Sequence, residues 1–424
     1  MAYVYVGYPL LLHVCARLHK GRGQRAEGRA QRVEDSTIDT PSVSIVIAAR
    51  NEGRRILGRV ENIEQLEYPA EKRQIVLVSD GSTDDTHAIF EQLWDEERAI
   101  CVELPEGGKA RALNAGIAQA TGDLVVFADV RQGFAPDALA ALVTPFRDPQ
   151  VGAVSGELVL NGEMRDRRAE ADRRASDDRR NIDDRRHVPR PVPGKRKGSR
   201  RWAMRRTIFE STVADGVGLY WRYEKQIRRD ESATGSVVGA TGAIYAMRRS
   251  LWQPLPPDTI LDDVLTPMRV VMAGYRVAFE EHACAFDRTA SDAGAEGRRK
   301  LRTLAGNYQL LLLEPRLLLP WANPAWLQYM SHKVGRLLVP YVLPLVFVAS
   351  LLLARQSMFY AGIFTAQCVL YLLAAYGASL EHTPPRPAAN PIHRLARVAL
   401  IFIVMNKSAV EGLIALASRQ KVWR

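Results

Sequence analysis

From Val43 to Phe146 the chain alternates between short apolar runs and stretches whose apolar positions recur every three or four residues. "VSIVIAAR", "QIVLVSD", "AICVEL" and "DLVVFAD" are continuous and rich in β-branched residues, which predicts strands buried on both faces. The intervening "NEGRRILGRVENIEQL", "STDDTHAIFEQLWDE", "KARALNAGIAQAT" and "APDALAALVTPF" have helical spacing, and the second opens with Ser/Thr/Asp start signals. Strands alternating with helices predict a parallel, two-faced α/β sheet. Ligands of such sheets sit beyond the carboxyl ends of the strands. Asn51, Glu52, Asp80, Gly81, Gly107 to Lys109, and Asp129 all fall there.

The pattern breaks at 163–207. "DRR" recurs every six residues, at Asp166, Asp172, Asp178 and Asp184. Six residues turn an α-helix by about 600°, so successive copies gather on no face and an amphipathic helix is excluded. "HVPRPVPGKRKGSRR" then adds Pro, Gly and positive charge, as an excursion loop does. Two readings stand for it: a solvated insertion, or an electrostatic tether to anionic lipid headgroups. Order resumes with a helix at "GLYWRYEKQIRR" and a glycine-punctuated strand and turn at "GATGAIYAMRRSLW". Turn, helix and strand follow in "ILDDVLTPMRVVMAGYRVAFEE", then a basic helix in "RRKLRTLAGNYQLLL".

Near the C-terminus, Leu337 to Ala354 and Met358 to Leu380 are free of charge and long enough to cross a bilayer. Only Arg355, Gln356 and Ser357 separate them, which predicts a helical hairpin over 337–380. A third stretch, 395–418, is interrupted by Asn406, Lys407 and Glu411, and either spans or lies against other helices. Residues 318–336 interleave Trp321, Trp326, Tyr329, Lys333 and Arg336, the character of an interfacial helix. Its aromatics suit an interfacial belt better than a sugar-stacking platform. Residues 1–16 are apolar without a cleavage signature and read as the end of a membrane anchor. The basic linker 17–41 after them puts the following domain, 42–315, in the cytosol.

Composition changes this picture at one point. The chain has 424 residues, 47% hydrophobic and 25% charged, with a net charge of +11. The 163–207 segment alone holds 17 Lys+Arg against 8 Asp+Glu, so the rest of the chain is nearly neutral. This is a globular protein with a basic insertion. Nucleic-acid binding is disfavoured because a single aromatic, Trp202, is interleaved with the charge. Cys15, Cys101, Cys284 and Cys368 lie far apart, which argues against structural zinc and disulfides and fits a reducing compartment.

The strand ends carry the chemistry. Asp80 precedes a Gly-Ser-Thr turn that can hydrogen-bond a base or ribose edge. Lys109 opens a helix after two glycines, where a cation and free N–H groups meet phosphate. Asp129 can hold a divalent cation. An acid after a strand is as often a helix cap, but several such groups on one rim describe a nucleotide-diphosphate site.

"PSVSIVIAARNE", "VLVSDGSTDDT", "GGKARALNAG" and "VVFADVRQ" resemble, in order, the signature blocks of family 2 glycosyltransferases with a GT-A fold. "GATGAIYAMRR" followed by "ILDDV" is similar to the later acceptor-side blocks, and the hairpin resembles the membrane-bound polysaccharide-synthase-like branch. The resemblance implies a Rossmann-like, mostly parallel cytosolic α/β domain plus C-terminal transmembrane helices at the inner membrane. It also implies inverting transfer from a nucleotide sugar, a UDP-sugar by preference, to a polysaccharide or lipid-linked acceptor. Membrane lipids and a homo- or hetero-oligomer are the further partners it allows. It puts Glu52 and Asp80 around the nucleotide, Lys109 after the glycines, and Asp129 first in an Asp-x-Asp motif that holds Mg2+ or Mn2+. Asp263 is its general base, with Asp262 the other member of the acidic pair.

Three departures follow from the same match. Arg131 stands where the second metal acid belongs, Asp262 replaces a glutamate, and no Gln-x-x-Arg-Trp is present. Lys300 and Arg302 take over the diphosphate in that neighbourhood, although basic residues before a membrane segment also serve topology. Asp129 either binds metal with the donor present, since one or two protein acids suffice for magnesium, or pairs with Arg131. Lys109 is otherwise a solvated helix start, and Asp262 and Asp263 are otherwise N-caps. The missing motif speaks against long-chain processivity and for short-chain or single-sugar transfer. The rival class is a catalytically silent homologue that serves as a regulatory or assembly module.

Overall fold

The computed structural model describes residues 3–18, 40–95, 99–160, 210–287, 293–380 and 391–418. The 163–207 insertion and nearly all of the 17–41 linker lie outside the described residues.

One eight-stranded sheet organises the domain, in the order β3-β2-β1-β4-β7-β6-β8-β5. β1 (Val43–Ala49), β2 (Arg73–Asp80), β3 (Ile100–Leu104) and β4 (Leu124–Ala128) form its first half, all parallel. They are the four apolar runs of the sequence; β2, β1 and β4 lie inside the sheet, where both faces are apolar, and β3 is the partly buried edge. Val43, Ile45 and Ile47 of β1 pack on one side, and Val46 joins Val76, Val78 and Phe127 on the other. α1 (Gly53–Glu64) and α2 (Thr86–Asp95) follow β1 and β2, and α3 (Lys109–Ala118) follows β3. α3 lies so close to the sheet that a Cβ at Gly116 would stand 2.6 Å from Val46 Cγ1, so only glycine fits without displacement.

The second half mixes directions. β5 (Gly133–Phe134) and β6 (Val151–Leu160) flank α4 (Ala138–Val143) in sequence, and β7 (Ile244–Arg248) runs antiparallel between β4 and β6. β8 (Arg276–Asp287) pairs parallel with β6, with register shifts, and antiparallel with β5. α5 (Glu210–Thr234) precedes β7, α6 (Asp262–Met272) precedes β8, and α7 (Ala293–Leu313) leaves the sheet.

Among the described residues, three helices are long and apolar enough to cross a membrane: α8 (Trp326–Leu353), α9 (Met358–Ser379) and α10 (Pro391–Ala417). The interfacial helix expected over 318–336 differs in form. Pro315–Leu318 is a 3-10 turn, and the helix that starts at Trp326 runs without a break into the first apolar span. Pro320 and Pro324 explain the late start, because neither can donate to a preceding helical turn. α10 packs along α9 and α7; a Cβ at Gly377 would meet the Ala396 carbonyl at 2.5 Å, and one at Gly412 the Ala305 nitrogen at 3.0 Å. The N-terminal helix, residues 3–18, docks on α5 and α8, where the Tyr8 hydroxyl donates to Glu231 and Tyr3 Oη lies 3.1 Å from Ser331 Oγ.

Candidate active site

The carboxyl ends of β1 to β4 form a rim whose loops are tied to one another. Asn51, with φ of 52°, accepts from the Thr83 N–H at 2.7 Å and donates its own N–H to Ser82 Oγ. Gly53 N–H donates to Asp84, so the turns after β1 and β2 hold each other. Glu52, at the start of α1, accepts from Arg55 at 2.6 Å. Asp80 is buried and receives the Gly107 N–H at 2.7 Å and the Gly108 N–H at 2.9 and 3.0 Å. Its carboxylate therefore fixes the glycine turn that launches α3. Gly81 (φ 65°) makes this possible, since a Cβ there would lie 2.5 Å from the Glu106 nitrogen.

Fixed in this way, the turn sends Lys109 across the rim. Its ammonium lies 3.4 Å from Asp129 Oδ1 and 3.4 Å from Asp262 Oδ1. One cation thus joins the end of β4 to the start of α6, residues 133 positions apart in sequence. Partial desolvation alone would depress this ammonium, but Asp129, Asp262 and Asp263 together raise it above an ordinary lysine. Arg302 acts in the opposite direction on the same group, which brings its guanidinium into the field of the site. Lys300 is two residues away on the same helix, hence about 200° around it, and makes no ion pair with any described residue.

Asp262 is 3% exposed and sits between Lys109 and the fully buried Tyr245, whose hydroxyl reaches its Oδ2 at 3.5 Å. Tyr245 is itself clamped by a stacked Phe127 at 4.2 Å. Asp263 faces the glycine-punctuated turn before β7: a Cβ at Gly242 would stand 2.9 Å from its Oδ2. Burial and the neighbouring Asp262 push the Asp263 carboxyl up to about 6, against the pull of Lys109, Lys333 and Arg228. Neither acid is the N-cap of α6; Leu261 holds that position with no side-chain cap bond. Both stand in the first turn, where the helix dipole favours a carboxylate.

Residues 44–253 match the family model Glycosyl transferase family 2. The matched segment runs from β1 through β7 and includes the rim from Asn51 to Asp129. This chain belongs to glycosyl transferase family 2. It is similar to the poly-beta-1,6-N-acetyl-D-glucosamine synthase of Staphylococcus aureus, with 24% identity over 278 residues, 64% of this chain and 55% of that one. A shorter match, 35% identical over 123 residues, is to the beta-monoglucosyldiacylglycerol synthase of Synechocystis sp., covering 28% of this chain and 26% of that one. The chain thus spans about half the length of this synthase. In three dimensions it resembles a mannosyltransferase from Pyrobaculum calidifontis solved in complex with GDP-Man and Mn2+. That match has a TM-score of 0.56 at 19% identity and covers 95% of this chain and 98% of that chain, a likeness of fold.

This family member departs from its sequence-based expectation at Arg131. An extended strand would put Asp129 and Arg131 on one side and allow them to pair. β4 instead ends at Ala128 and the chain bends at Val130 and Arg131, so the alternation stops. Arg131 turns to the buried Asp287 at the end of β8, 3.5 Å away, which also accepts from Gln132 Nε2 at 2.8 Å. The ionic partner of Asp129 is Lys109.

A metal needs oxygens from more than the protein at this rim. Among the described residues no three His, Cys, Asp or Glu side chains gather at one point. Asp129, with 39% of its side chain exposed, offers one carboxylate at the rim. Such a donor set fits Mg2+ or Mn2+ where substrate phosphates and waters supply the rest of the shell.

Sequence reasoning missed several groups. Arg59, on the buried stripe of α1 beside Ile56 and Val60, is 3% exposed and lies 4.0 Å over the Phe134 ring. It feels the charge of Asp129, and its Nε and Nη2 have no hydrogen-bond partner among the described residues. An arginine at apolar helical spacing is the signal that marks it. Tyr245 carries no such signal, since a tyrosine inside a strand reads as core.

Proposed function

We propose that this enzyme transfers a sugar, with inversion, from a nucleotide-sugar donor, a UDP-sugar by preference, to an acceptor held at a membrane. The observation that carries the reading is the Lys109 bridge, which ties the donor rim at Asp129 to the acidic pair of α6. Asp263 is the base: an acceptor hydroxyl gives its proton to the Asp263 carboxylate as its oxygen attacks the anomeric carbon. The bond from that carbon to the diphosphate breaks on the opposite face, and the nucleoside diphosphate leaves with the electron pair. A carboxyl raised to about 6 is a stronger proton acceptor than an ordinary aspartate and is still mostly ionised at neutral pH.

Lys109, Arg302 and the first-turn N–H groups of α3 meet the negative charge that grows on the leaving group. Asp129 would hold Mg2+ or Mn2+, and a metal bound there would add Lewis-acid stabilisation of the diphosphate. Asp80 positions the glycine turn, and Glu52 and Asp80 flank the place for the nucleoside. Arg131, paired with Asp287, acts on the diphosphate only through its positive charge, and Lys300 is assigned no part in this step. The relatives' names, a polysaccharide synthase and a glycolipid synthase, support a glycan or lipid-linked acceptor. The three apolar C-terminal helices support a membrane setting. The basic residues after the N-terminal helix support a catalytic domain on the cytosolic face.

The test is nucleoside-diphosphate release by membranes carrying the protein, over a panel of nucleotide sugars, with magnesium, manganese or chelator and with a lipid extract of the host. Release with one donor, abolished by Asp263→Asn, is expected. Loss on chelation and in Asp129→Asn would assign the metal to Asp129, and release that survives both would remove it. No release from any donor, extract included, would sink the enzyme reading in favour of a silent module.

A further inference from the structure

Two cations that the transfer step leaves unused, Arg228 on α5 and Lys333 on α8, act on Asp263 besides Lys109. Glu224, Arg228 and Glu231 stand on α5 at spacings of four and three, hence on one helix face. His332 of α8 spans this face, with Nε2 3.0 Å from Glu224 and Nδ1 2.8 Å from Glu231. Arg336 pairs with Glu224, and the Tyr8 hydroxyl donates to Glu231 at 2.9 Å. Both acids of the seam are therefore occupied. Arg228, between them in sequence, turns to the neutral hydroxyl of Thr241. Lys333, next to His332, has no hydrogen bond or ion pair with any described residue.

Thr241 locates these charges relative to the chemistry. Its neighbour Gly242 has no side chain, and a Cβ there would touch the Asp263 carboxylate at 2.9 Å. Arg228 and Lys333 both pull on the Asp263 carboxyl, so they share its surroundings. Neither makes a direct ion pair with a described residue, so carboxylates act on them only from a distance, and half-buried cations held this way are costly. An arginine and a lysine from two elements suit a group with several anionic oxygens: the guanidinium fork takes two of them and the ammonium acts as a point charge.

We propose that Arg228 and Lys333 form the subsite for a phosphate group on the acceptor, seating a phosphate-bearing molecule beside the base where α5 meets α8. The proposal rests on the reading of Asp263 as the base. The phosphate belongs either to a lipid headgroup or to a water-soluble phosphorylated glycan, and one assay separates these sources.

The experiment uses the full chain in membranes with the donor identified by the panel. A host extract is split between organic and aqueous phases, and each phase is divided on an anion exchanger. Acceptor-dependent release is expected from a retained fraction, organic for a headgroup and aqueous for a soluble phosphorylated glycan. Arg228→Gln and Lys333→Gln are each expected to raise the acceptor KM about ten-fold, the loss of roughly one charge-assisted contact. The donor KM stays unchanged, and Arg228→Lys recovers part of the acceptor KM. A purely structural role would move both constants or neither. As a check that needs no variant, phosphatidylcholine vesicles doped with phosphatidic acid should compete with the acceptor, while the same vesicles doped with diacylglycerol should not. An acceptor confined to the unretained fractions, an unmoved acceptor KM in both glutamine variants, or equal effects of the two vesicles would each overturn the phosphate subsite and leave the transferase standing. Absence of release from every donor and fraction would overturn the transferase reading, and the subsite with it.

Discussion

Along β3-β2-β1-β4 the buried side chains are almost all apolar, and polar groups are confined to the turns beyond the strand ends. Where α5 meets α8, by contrast, the contact is made by Glu224, Glu231 and His332, with Tyr8 and Arg336 completing it. The first region is held by shape. Its tolerance is set by volume, as the approach of Gly116 to Val46 illustrates. The second is held by charge, and its tolerance is set by whether every buried polar group keeps its partner. The proposed reaction needs both: a rigid rim for a donor of constant shape, and a polar seam that can take an anionic acceptor. Asp262 and Asp263 lie where the two meet, one facing Lys109 from the rim and the other facing the cations of the seam.

Substitutions that strike this junction should be the most damaging. Asp263→Asn should lower transfer about a hundred- to ten-thousand-fold, as loss of a general base does. Donor affinity, read by nucleotide titration, should remain. Lys109→Met removes the bridge and one cation from the leaving diphosphate. A fall in kcat of about a hundred- to a thousand-fold is expected, and loss confined to the donor KM would mean that Lys109 only binds.

Within the regions, the contrast appears in stability. Glu231→Ala leaves Tyr8 and His332 facing a hole in the seam. It should cost about 3 kcal/mol, read as a drop in unfolding midpoint of the purified protein. Gly116→Ala should cost about 2 kcal/mol by overpacking α3 against Val46 and Val78. If Glu231→Ala proves neutral, the seam is not held by charge and the comparison fails.

The smallest effect should be in pH. Asp263 works as the carboxylate, and its carboxyl is raised to about 6, so kcat should climb with pH through about 6 and level above it. Lys333 pulls that value down. Lys333→Gln at saturating acceptor should therefore move the limb to higher pH, and a shift to lower pH would contradict the placement of Lys333 beside Asp263.

The first half of the sheet was legible because each strand and the helix after it lie within some thirty residues of chain, and burial on both faces forces a continuous apolar run. The order of β5 to β8 was not. β6, "VGAVSGELVL", carries glycines that blur its pattern, and β5 is two residues long. At the rim, the residue types at Asp80, Lys109 and Asp129 could be read from their turns. Their partners could not: Asp80 is spent on the glycine loop, and Arg131 leaves Asp129 for Asp287 because the strand ends at Ala128, before the alternation reaches either residue.

What the sequence determined by itself is therefore what depends on neighbours along the chain: strand and helix periods, the glycine turns, the apolar spans and the family blocks. The tertiary structure alone decided which charges meet. Lys109 reaches Asp262 across 153 positions, and His332 reaches Glu224 across 108. An ion pair leaves no periodic trace in either partner's local sequence. Its energy depends on distance and burial, and both exist only once the helices of the second half have closed over the first.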